Sequence, residues 1–237
     1  MSLPVAILAG GLATRLRPVT EKIPKSLIEV AGRPFIDHQL ELLARHGYRE
    51  VVLCVGFLGD QIERHVGDGA SRGVRIRYST DGKRLLGTGG ALRRALPFLG
   101  EAFFVLNGDS YLPCDYKAIE AAFRASLFPA LMTVFRNEDR WDASNIEYAN
   151  GKVLVYDKKH RSAAMRYIDY GLTALRASLI ADRPADVPFD LADILGPLAA
   201  AGRVAGVEVG ERFYEVGSPG GLAETDAYLR ARPGALR

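Results

Sequence analysis

The chain has few of the residues on which small secreted or metal-stapled proteins depend. Its 237 residues include only two cysteines, Cys54 and Cys114, too few for a disulfide framework or a zinc ribbon. No apolar run approaches the roughly 20 residues that cross a bilayer. The apolar N-terminus also lacks the basic residues and the cleavage site of a secretory leader. We therefore expect a cytoplasmic protein without a membrane partner.

A strong charge bias is also missing. Lys and Arg number 31 against 28 Asp and Glu, which leaves a net charge of +3. Because the basic residues are spread along the chain, we expect no nucleic-acid partner. The four histidines show no metal-ligand spacing. The sequence leaves a homo-oligomer open.

Apolar runs alternate with helical segments through the first half of the chain. Strands are expected at residues 4–9, 51–55, 74–78, 103–106 and 130–135. Helices are expected at residues 34–46, 58–66, 90–98, 116–127, 190–201 and 219–232. The alternation predicts an α/β fold with a mostly parallel central sheet and helices on both faces.

The pattern changes in the second half. Residues 144–156 alternate apolar and polar side chains around Asn150-Gly151, which predicts a small antiparallel hairpin insertion. No repeat, low-complexity tract or linker interrupts the chain. We therefore predict a single domain over residues 1–237.

The loop after the first predicted strand has the composition of a phosphate-binding site. The strand runs into Gly10-Gly11, and Arg15, Arg17 and Lys25 follow. Glycines let backbone N–H groups approach a phosphate, and fixed Arg and Lys side chains neutralise its charge. The dinucleotide fingerprint and the P-loop both fail, because neither set of glycine positions is met. In an open α/β sheet, ligands bind at the carboxyl ends of the strands, so this loop is the first candidate.

The same loop resembles the signature of the sugar-1-phosphate nucleotidylyltransferases, which reads roughly L-A-G-G-x-G-T-R-L-x-P-x-T-x-x-x-P-K. The chain matches it from Leu8 through Pro24-Lys25, with Ala13 where the family usually has Gly. Four later stretches are also similar to family motifs: Leu86–Leu92 to L-G-T-[AG]-G-A-L, Leu106–Asp109 to N-G-D, Asp157-Lys158 to E-K, and Phe213–Pro219 to D-[IV]-G-[TS]-P.

The resemblance implies a Rossmann-like nucleotidyltransferase fold and a Mg²⁺-dependent reaction between a nucleoside triphosphate and a sugar 1-phosphate. The N-terminal half would bind the nucleotide, and roughly residues 136–217 the sugar phosphate. Arg15 and Lys25 are the implied catalytic residues. The implied nucleotide-binding residues are Leu8, Gly10, Gly11, Asp81, Gly87, Thr88 and Gly89. The implied sugar-phosphate-binding residues are Asn107, Asp142, Asn145, Lys158, Asp169 and Gly171.

The metal ligands implied by the resemblance are Asp109 and Glu215, although the family usually has Asp at the second position. On the sugar side, Asp142 and Asp169 replace family residues and add acceptors for sugar hydroxyls. Trp141 or Tyr170 is a candidate for stacking on a sugar ring.

Substrate identity stays open at this stage. The Leu86–Ala91 stretch and the Asp139-Arg140-Trp141…Asn145 segment resemble guanylyltransferases acting on mannose or heptose 1-phosphates, so GTP is favoured. Uridylyl-, thymidylyl- and cytidylyltransferases on the same fold are alternatives. A non-catalytic regulatory module that binds nucleotide sugars is another, although the chain keeps Arg15, Lys25 and Asp109. A dinucleotide-dependent dehydrogenase is a distant third, because its fingerprint fails.

Overall fold

The described part of the chain, residues 2–11, 16, 18–82 and 84–232 of a computed structural model, contains one nine-stranded sheet and two small two-stranded sheets. The strands are β1 (Val5–Leu8), β2 (Glu29–Val30), β3 (Arg33–Pro34), β4 (Glu50–Val55), β5 (Arg75–Thr80), β6 (Ala102–Asn107), β7 (Ser110–Tyr111), β8 (Ala130–Arg136), β9 (Ile146–Ala149), β10 (Lys152–Tyr156), β11 (Tyr167–Arg176), β12 (Val204–Glu208) and β13 (Tyr214–Glu215). The helices are α1 (Phe35–Arg45), α2 (Gly59–Val66), α3 (Gly87–Ala95), α4 (Tyr116–Ala125), α5 (Ser178–Ala181), α6 (Ala192–Ala200) and α7 (Pro219–Arg230).

The large sheet has the order β5-β4-β1-β6-β11-β8-β12-β10-β9. Strands β5, β4, β1 and β6 are parallel neighbours, and β8 and β12 are parallel to each other. Strand β11 is antiparallel to β6 and β8, and β10 is antiparallel to β12 and β9. The sheet is therefore mixed but mostly parallel in strand direction, as the sequence predicted.

Helices cover both faces of this sheet, because its central strands are apolar on both sides. In β1, Val5 and Ile7 belong to one buried cluster and Ala6 belongs to the other. Apolar side chains of α1, α2, α4 and α7 complete the first cluster. Those of α3, α5 and α6 complete the second. This two-sided burial explains why continuous apolar runs predicted the parallel strands.

The sequence missed two strands of the sheet, β11 and β12. Strand β11 is buried on both faces, yet it carries Asp169, Gly171 and Thr173, so neither an apolar run nor an alternation marks it. Strand β12 contains Gly206, where an added Cβ would lie 2.5 Å from the Tyr148 ring. Its small residues are fixed by tertiary packing, which overrides their low strand propensity.

Other predictions agree more closely with the structure. The hairpin of β9 and β10 is confirmed, and Asn150 and Gly151 both take positive φ at its turn. Helix α3 begins at Gly87, three residues before the predicted start, because Gly89 and Gly90 donate to the distant Phe189 carbonyl. Among the described residues, no helix has the length and apolar character to cross a membrane.

Candidate active site

A cavity of about 310 Å³ opens at the carboxyl ends of the parallel strands. Its walls come from the turn after β1, the start of α3, the loop after β6 and a short helical turn at Lys25–Leu27. We call it the first cavity, and its lining includes Leu8, Gly10, Gly11, Lys25, Ser26, Cys54, Asp81, Leu85, Gly87, Thr88, Asn107 and Asp109. Parallel strands that end at one edge bring these distant residues together.

Close backbone packing fixes the turn after β1. Ala9 donates to the Cys54 carbonyl at 2.8 Å, and Gly108 donates to the Leu8 carbonyl at 3.1 Å. A Cβ on Gly108 would lie only 2.4 Å from that carbonyl oxygen, so a side chain there would force β1 and β6 apart. At Gly11, by contrast, a Cβ would meet nothing within 4 Å. The turn is held rigidly by its neighbours and leaves open space at Gly11.

Lys25 and Asp109 form an ion pair at the cavity wall. The Lys25 Nζ atom lies 2.9 Å from Asp109 Oδ2, and both side chains are only partly exposed. The Asp109 Oδ1 atom accepts a hydrogen bond of 3.2 Å from Ser110 Oγ. A cation and a carboxylate therefore face the first cavity side by side, in surroundings where charge is weakly screened.

The Glu215 carboxylate approaches this ion pair next to Gly217. A Cβ on Gly217 would lie 2.6 Å from Glu215 Oε2 and 3.2 Å from both Asp109 Oδ2 and Lys25 Nζ. Pairing of β7 with β13 produces this approach, and Val216 donates to the Asp109 carbonyl at 2.9 Å. The small space at Gly217 is therefore bordered by two carboxylates and an ammonium group.

The Glu215 carboxylate also caps the start of α7. Its Oε1 atom accepts from Ser218 Oγ at 2.5 Å, and its Oε2 atom accepts from the Gly217 N–H. Ser218 in turn caps the helix by accepting from Gly221 at 3.0 Å. Each carboxylate oxygen has a second lone pair, so these bonds leave capacity for another ligand.

Asp81 follows β5 and is 6% exposed at the wall of the first cavity. Its Oδ2 atom accepts from the Leu86 N–H at 3.1 Å, and its backbone carbonyl accepts from Arg94 at 3.0 Å. Burial raises the pKa of the Asp81 carboxyl, and the bond from Leu86 partly opposes that rise. The side chain is a fixed acceptor at the edge of the cavity.

The glycine-rich start of α3 packs beneath a segment from the second half of the chain. Gly89 donates to the Phe189 carbonyl at 3.0 Å, and a Cβ on Gly89 would lie 2.1 Å from the Phe189 ring. Thr88 Oγ1 donates to Asp190 Oδ1 at 3.0 Å and accepts from Leu191 at 2.8 Å. Gly87 and Thr88 line the first cavity, whereas Gly89 contacts Phe189 instead.

A smaller second cavity, of about 30 Å³, adjoins the first. The two share Leu8, Thr88 and Asn107 in their walls. The polar residues that line the second cavity are Thr88, Asn107, Tyr156, Lys158, Asp169, Thr173 and Asp190. Its wall also includes Gly171, whose φ of 106° lies in the region that favours glycine.

Hydrogen bonds orient the acidic side of the second cavity. Asp169 Oδ2 accepts from the Tyr156 hydroxyl at 3.0 Å, and Asp169 Oδ1 accepts from the Gly171 N–H at 3.0 Å. Lys158 Nζ lies 5.6 Å from the centre of the Tyr156 ring. Burial, followed by the nearby Asp169 carboxylate, raises the pKa of Tyr156 far above its usual range, so the phenol stays protonated.

Two of the predicted sugar-phosphate-binding residues, Asp142 and Asn145, line neither cavity. Asp142 is exposed, and its Oδ1 atom accepts from the Ala143 N–H at 2.7 Å. Asn145 contacts the site indirectly. Its Oδ1 atom accepts a hydrogen bond of 3.0 Å from the backbone N–H of Asp169, which lines the second cavity. Arg15 lies outside the described residues.

Neither aromatic candidate for stacking on a sugar ring lines a cavity. Tyr170 is 1% exposed and packs in the core against Phe213, with ring centroids 6.1 Å apart. The Arg212 guanidinium carbon lies 3.4 Å from the centre of the Trp141 ring, so that ring face is already covered. Alternation along β11 places Asp169 and Tyr170 on opposite faces, which explains why only the first reaches the cavity.

Sequence reasoning also missed residues that do line the cavities. Ser26, Cys54 and Leu85 contribute to the first, and Tyr156 and Asp190 contribute to the second. Alternation along β10 was the available signal for Tyr156. Nothing local marks Asp190, because it reaches the site by pairing with Thr88, 102 positions earlier in the chain.

A mixed sheet with a glycine turn, a Lys–Asp pair and two adjoining cavities is the arrangement of a nucleotide-binding transferase. The family described as nucleotidyl transferase matches residues 5–144. Over 233 residues the chain is 31% identical to the N-acetylmuramate alpha-1-phosphate uridylyltransferase of Caulobacter vibrioides, covering 94% of this chain and 95% of that relative. Over 141 residues it is 32% identical to the D-glycero-alpha-D-manno-heptose 1-phosphate guanylyltransferase of Campylobacter jejuni, covering 60% of this chain and 62% of that one.

Solved structures show the same similarity. HddC from Yersinia pseudotuberculosis, solved in complex with GMP-PN, superposes with a TM-score of 0.81 at 25% sequence identity. The superposition covers 96% of this chain and 100% of that one. The chain belongs to the nucleotidyl transferase family, among the sugar-1-phosphate nucleotidylyltransferases, and is an enzyme of that group.

Proposed function

We propose that the protein joins a sugar 1-phosphate to a nucleoside triphosphate, releasing pyrophosphate, with GTP and a mannose- or heptose-type sugar as the favoured pair. The observation that carries this proposal is the first cavity, in which the turn at Gly10-Gly11 faces the Lys25–Asp109 pair. The second cavity adjoins it where a sugar phosphate would have to approach.

The reaction needs positioning and charge neutralisation more than proton transfer. The nucleophile is a phosphate oxygen of the sugar 1-phosphate, which is already largely anionic because a phosphate monoester has a second pKa of about 6. It attacks the α-phosphorus in line, and the bond to the β-phosphate oxygen breaks to release pyrophosphate. No general base is required. The enzyme must hold two mutually repelling anions in contact.

The position of Lys25 supports a role for it in that neutralisation. Its ammonium group lines the first cavity and is held by Asp109 rather than free in solvent. A fixed cation in a partly buried site stabilises developing charge without reorganising during the reaction. Arg15 is proposed as a second such cation, on the family resemblance of its loop.

The chemistry of Asp109 and Glu215 fits a Mg²⁺ site. Both supply hard carboxylate oxygens, and they border the space at Gly217 that a Cβ would fill. Mg²⁺ usually binds through one or two carboxylates together with substrate phosphates. When bound, the ion would neutralise phosphate charge. Asp109 is the main proposed ligand, while Glu215 divides its oxygens between that role and the start of α7.

Asp81 supports guanine as the base. It is a buried, fixed carboxylate at the wall of the first cavity, and one of its oxygens is engaged by Leu86. Guanine offers two adjacent N–H donors, whereas uracil offers one N–H between two carbonyl acceptors that a carboxylate repels. Uridylyl transfer is the second candidate, because the relative from Caulobacter vibrioides is named as a uridylyltransferase.

A pyrophosphate-release assay with Mg²⁺ tests the proposal. Four nucleoside triphosphates are each paired with mannose, glucose and heptose 1-phosphates, and product formation is checked by mass spectrometry. We expect release only when both substrates are present, with the highest kcat/KM for GTP. Release from none of the pairs, with nucleotide sugars still binding by calorimetry, would instead favour the non-catalytic regulatory module.

A further inference from the structure

Asp190 is a carboxylate of the second cavity that no sequence motif identified. Its Oδ1 atom accepts from Thr88 Oγ1 at 3.0 Å and from the Ala192 N–H at 2.9 Å. These two bonds fix the orientation of the side chain. Within the described residues, its Oδ2 atom has no hydrogen-bond partner, so one anionic oxygen is left for a ligand.

Asp169 provides the second negative charge in this cavity. Both of its oxygens are engaged within the site, by Tyr156 and Gly171. The Asp169, Asp190 and Tyr156 side chains all line the second cavity. The charge of each carboxylate raises the pKa of the Tyr156 hydroxyl, after the larger effect of burial. The hydroxyl therefore lies in a local field that is negative.

Positive charge is scarce on this side of the site. Of the described side chains that line the second cavity, Lys158 is the one that is cationic. A sugar 1-phosphate brings its own phosphate, and Lys158 is the group that would face it. Among the described residues of this lining, no other cation is then present to neutralise a further acidic substituent on the sugar ring.

We infer that the second cavity selects sugar 1-phosphates whose rings carry only hydroxyl, amide or amino groups, and that Asp190 rejects sugars bearing a carboxylate. This inference rests on the proposed function. Hydroxyl and ammonium groups donate to the two carboxylates, of which Asp169 is half-buried and Asp190 is exposed. A substrate carboxylate would instead meet two like charges there. The sugars selected would differ from the one in the name of the Caulobacter vibrioides relative, because N-acetylmuramate carries a carboxylate.

Two sugar phosphates that differ only in a lactyl ether test the inference. N-Acetylglucosamine 1-phosphate lacks this group, and N-acetylmuramate 1-phosphate carries it with its carboxylate. The methyl ester of the muramate keeps the bulk and removes the charge. For each ligand, kcat/KM is measured by pyrophosphate release with the best nucleotide, and Kd is measured in parallel by calorimetry on the full chain.

We expect the wild-type protein to discriminate against the muramate by at least about 10-fold in either measurement, since like-charge juxtaposition is unfavourable even where solvent screens it in part. The methyl ester should recover most of that loss. Asp190→Asn keeps an acceptor for Thr88 and should reduce the preference for N-acetylglucosamine 1-phosphate over N-acetylmuramate 1-phosphate. Asp190→Lys should reduce this ratio by at least about 10-fold. Asp186→Asn makes the same charge change as Asp190→Asn on another exposed side chain of the same segment, one that does not line the second cavity, and should leave the ratio of kcat/KM values unchanged.

Equal use or equal binding of the two sugar phosphates by the wild-type protein would overturn the inference. So would a ratio that Asp190→Lys leaves unaltered in a folded variant. Failure of every sugar phosphate to release pyrophosphate would instead count against the proposed function. In that case the ratio of Kd values still decides whether the second cavity rejects the carboxylate.

Discussion

The two cavities are built in different ways. The first lies where four parallel strands end together, and most of its wall comes from turns that directly follow β1, β5 and β6. The second depends on the antiparallel strand β11, the β9–β10 hairpin and a segment around Phe189 and Asp190 that crosses over α3. One cavity is therefore assembled from local turns, and the other from contacts between distant parts of the chain.

This difference predicts how each side responds to change. Residues at strand ends are held by the sheet, so substitutions there should alter chemistry more than fold. Residues of the second cavity are linked by side-chain bonds such as Thr88–Asp190, so substitutions there should alter affinity and local order together. The following substitutions compare the two sides.

The largest effect is expected at Lys25. Replacing it with Ala removes a cation from the wall of the first cavity and leaves Asp109 without its Lys25 ion pair. We expect turnover to fall by at least about 100-fold, the usual loss for a preorganised charge-stabilising group. Steady-state pyrophosphate release measures the change. The control is Lys117→Ala, which changes an exposed lysine of α4. Unchanged turnover in a folded Lys25→Ala protein would show that Lys25 has no part in the mechanism.

Asp109 and Glu215 should differ from each other. Asp109→Asn should lower Mg²⁺-dependent turnover by about 100-fold, because it removes the main proposed ligand charge. Glu215→Gln should lower turnover only about 10-fold, the loss expected for a group that mainly orients the site. It should also lower Tm, because the start of α7 loses a charged acceptor. Rate is measured against Mg²⁺ concentration. Equal losses in both variants would assign the two carboxylates the same role.

Asp81→Asn should weaken nucleotide binding while stabilising the fold. Losing the carboxylate should raise KM for GTP about 10-fold, within the range of a two-donor base contact. Burial raises the pKa of Asp81, so the folded state holds this proton more tightly than the unfolded state. Wild-type stability therefore falls as pH rises from the ordinary pKa of about 4 through the raised value, and Asn lacks this loss.

Melting curves at pH 4 and pH 7 measure the effect of Asp81 on stability. The Tm gain of Asp81→Asn over wild type should be larger at pH 7 than at pH 4. Asp60→Asn, an exposed residue of α2, is the control for loss of a surface carboxylate. A larger gain at pH 4 would contradict the assigned direction of the pKa shift.

The smallest effects are expected on the sugar side. Asp169→Asn weakens the bonds from Tyr156 and Gly171, and should raise KM for the sugar phosphate about 10-fold. Asp142→Asn should change it less than about twofold, because the side chain is exposed and outside both cavities. The KM of each variant is measured by varying the sugar phosphate at saturating nucleotide. A larger effect at Asp142 would mean that its loop moves onto the substrate.

The sequence predicted the first side of the molecule better than the second for a physical reason. Gly10 and Asp109 follow the buried strands β1 and β6 at short distances, and Asp81 directly follows the partly exposed β5, so strand patterns and turn residues located them. Strand β11 and Asp190 carry no comparable local signal, because their positions depend on pairing with β6 and with Thr88. Because β11 was not predicted, the sequence could not show that Tyr170 faces the core, and the prediction of Tyr170 as a candidate for stacking on a sugar ring was wrong.

The most direct test of the account is a crystal structure of the protein with Mg²⁺ and a non-hydrolysable GTP analogue. The account predicts the phosphates over the turn at Gly10-Gly11, within hydrogen-bond distance of Lys25, and the base between Asp81 and Gly87. A triphosphate bound outside the cavity that these residues line would contradict it.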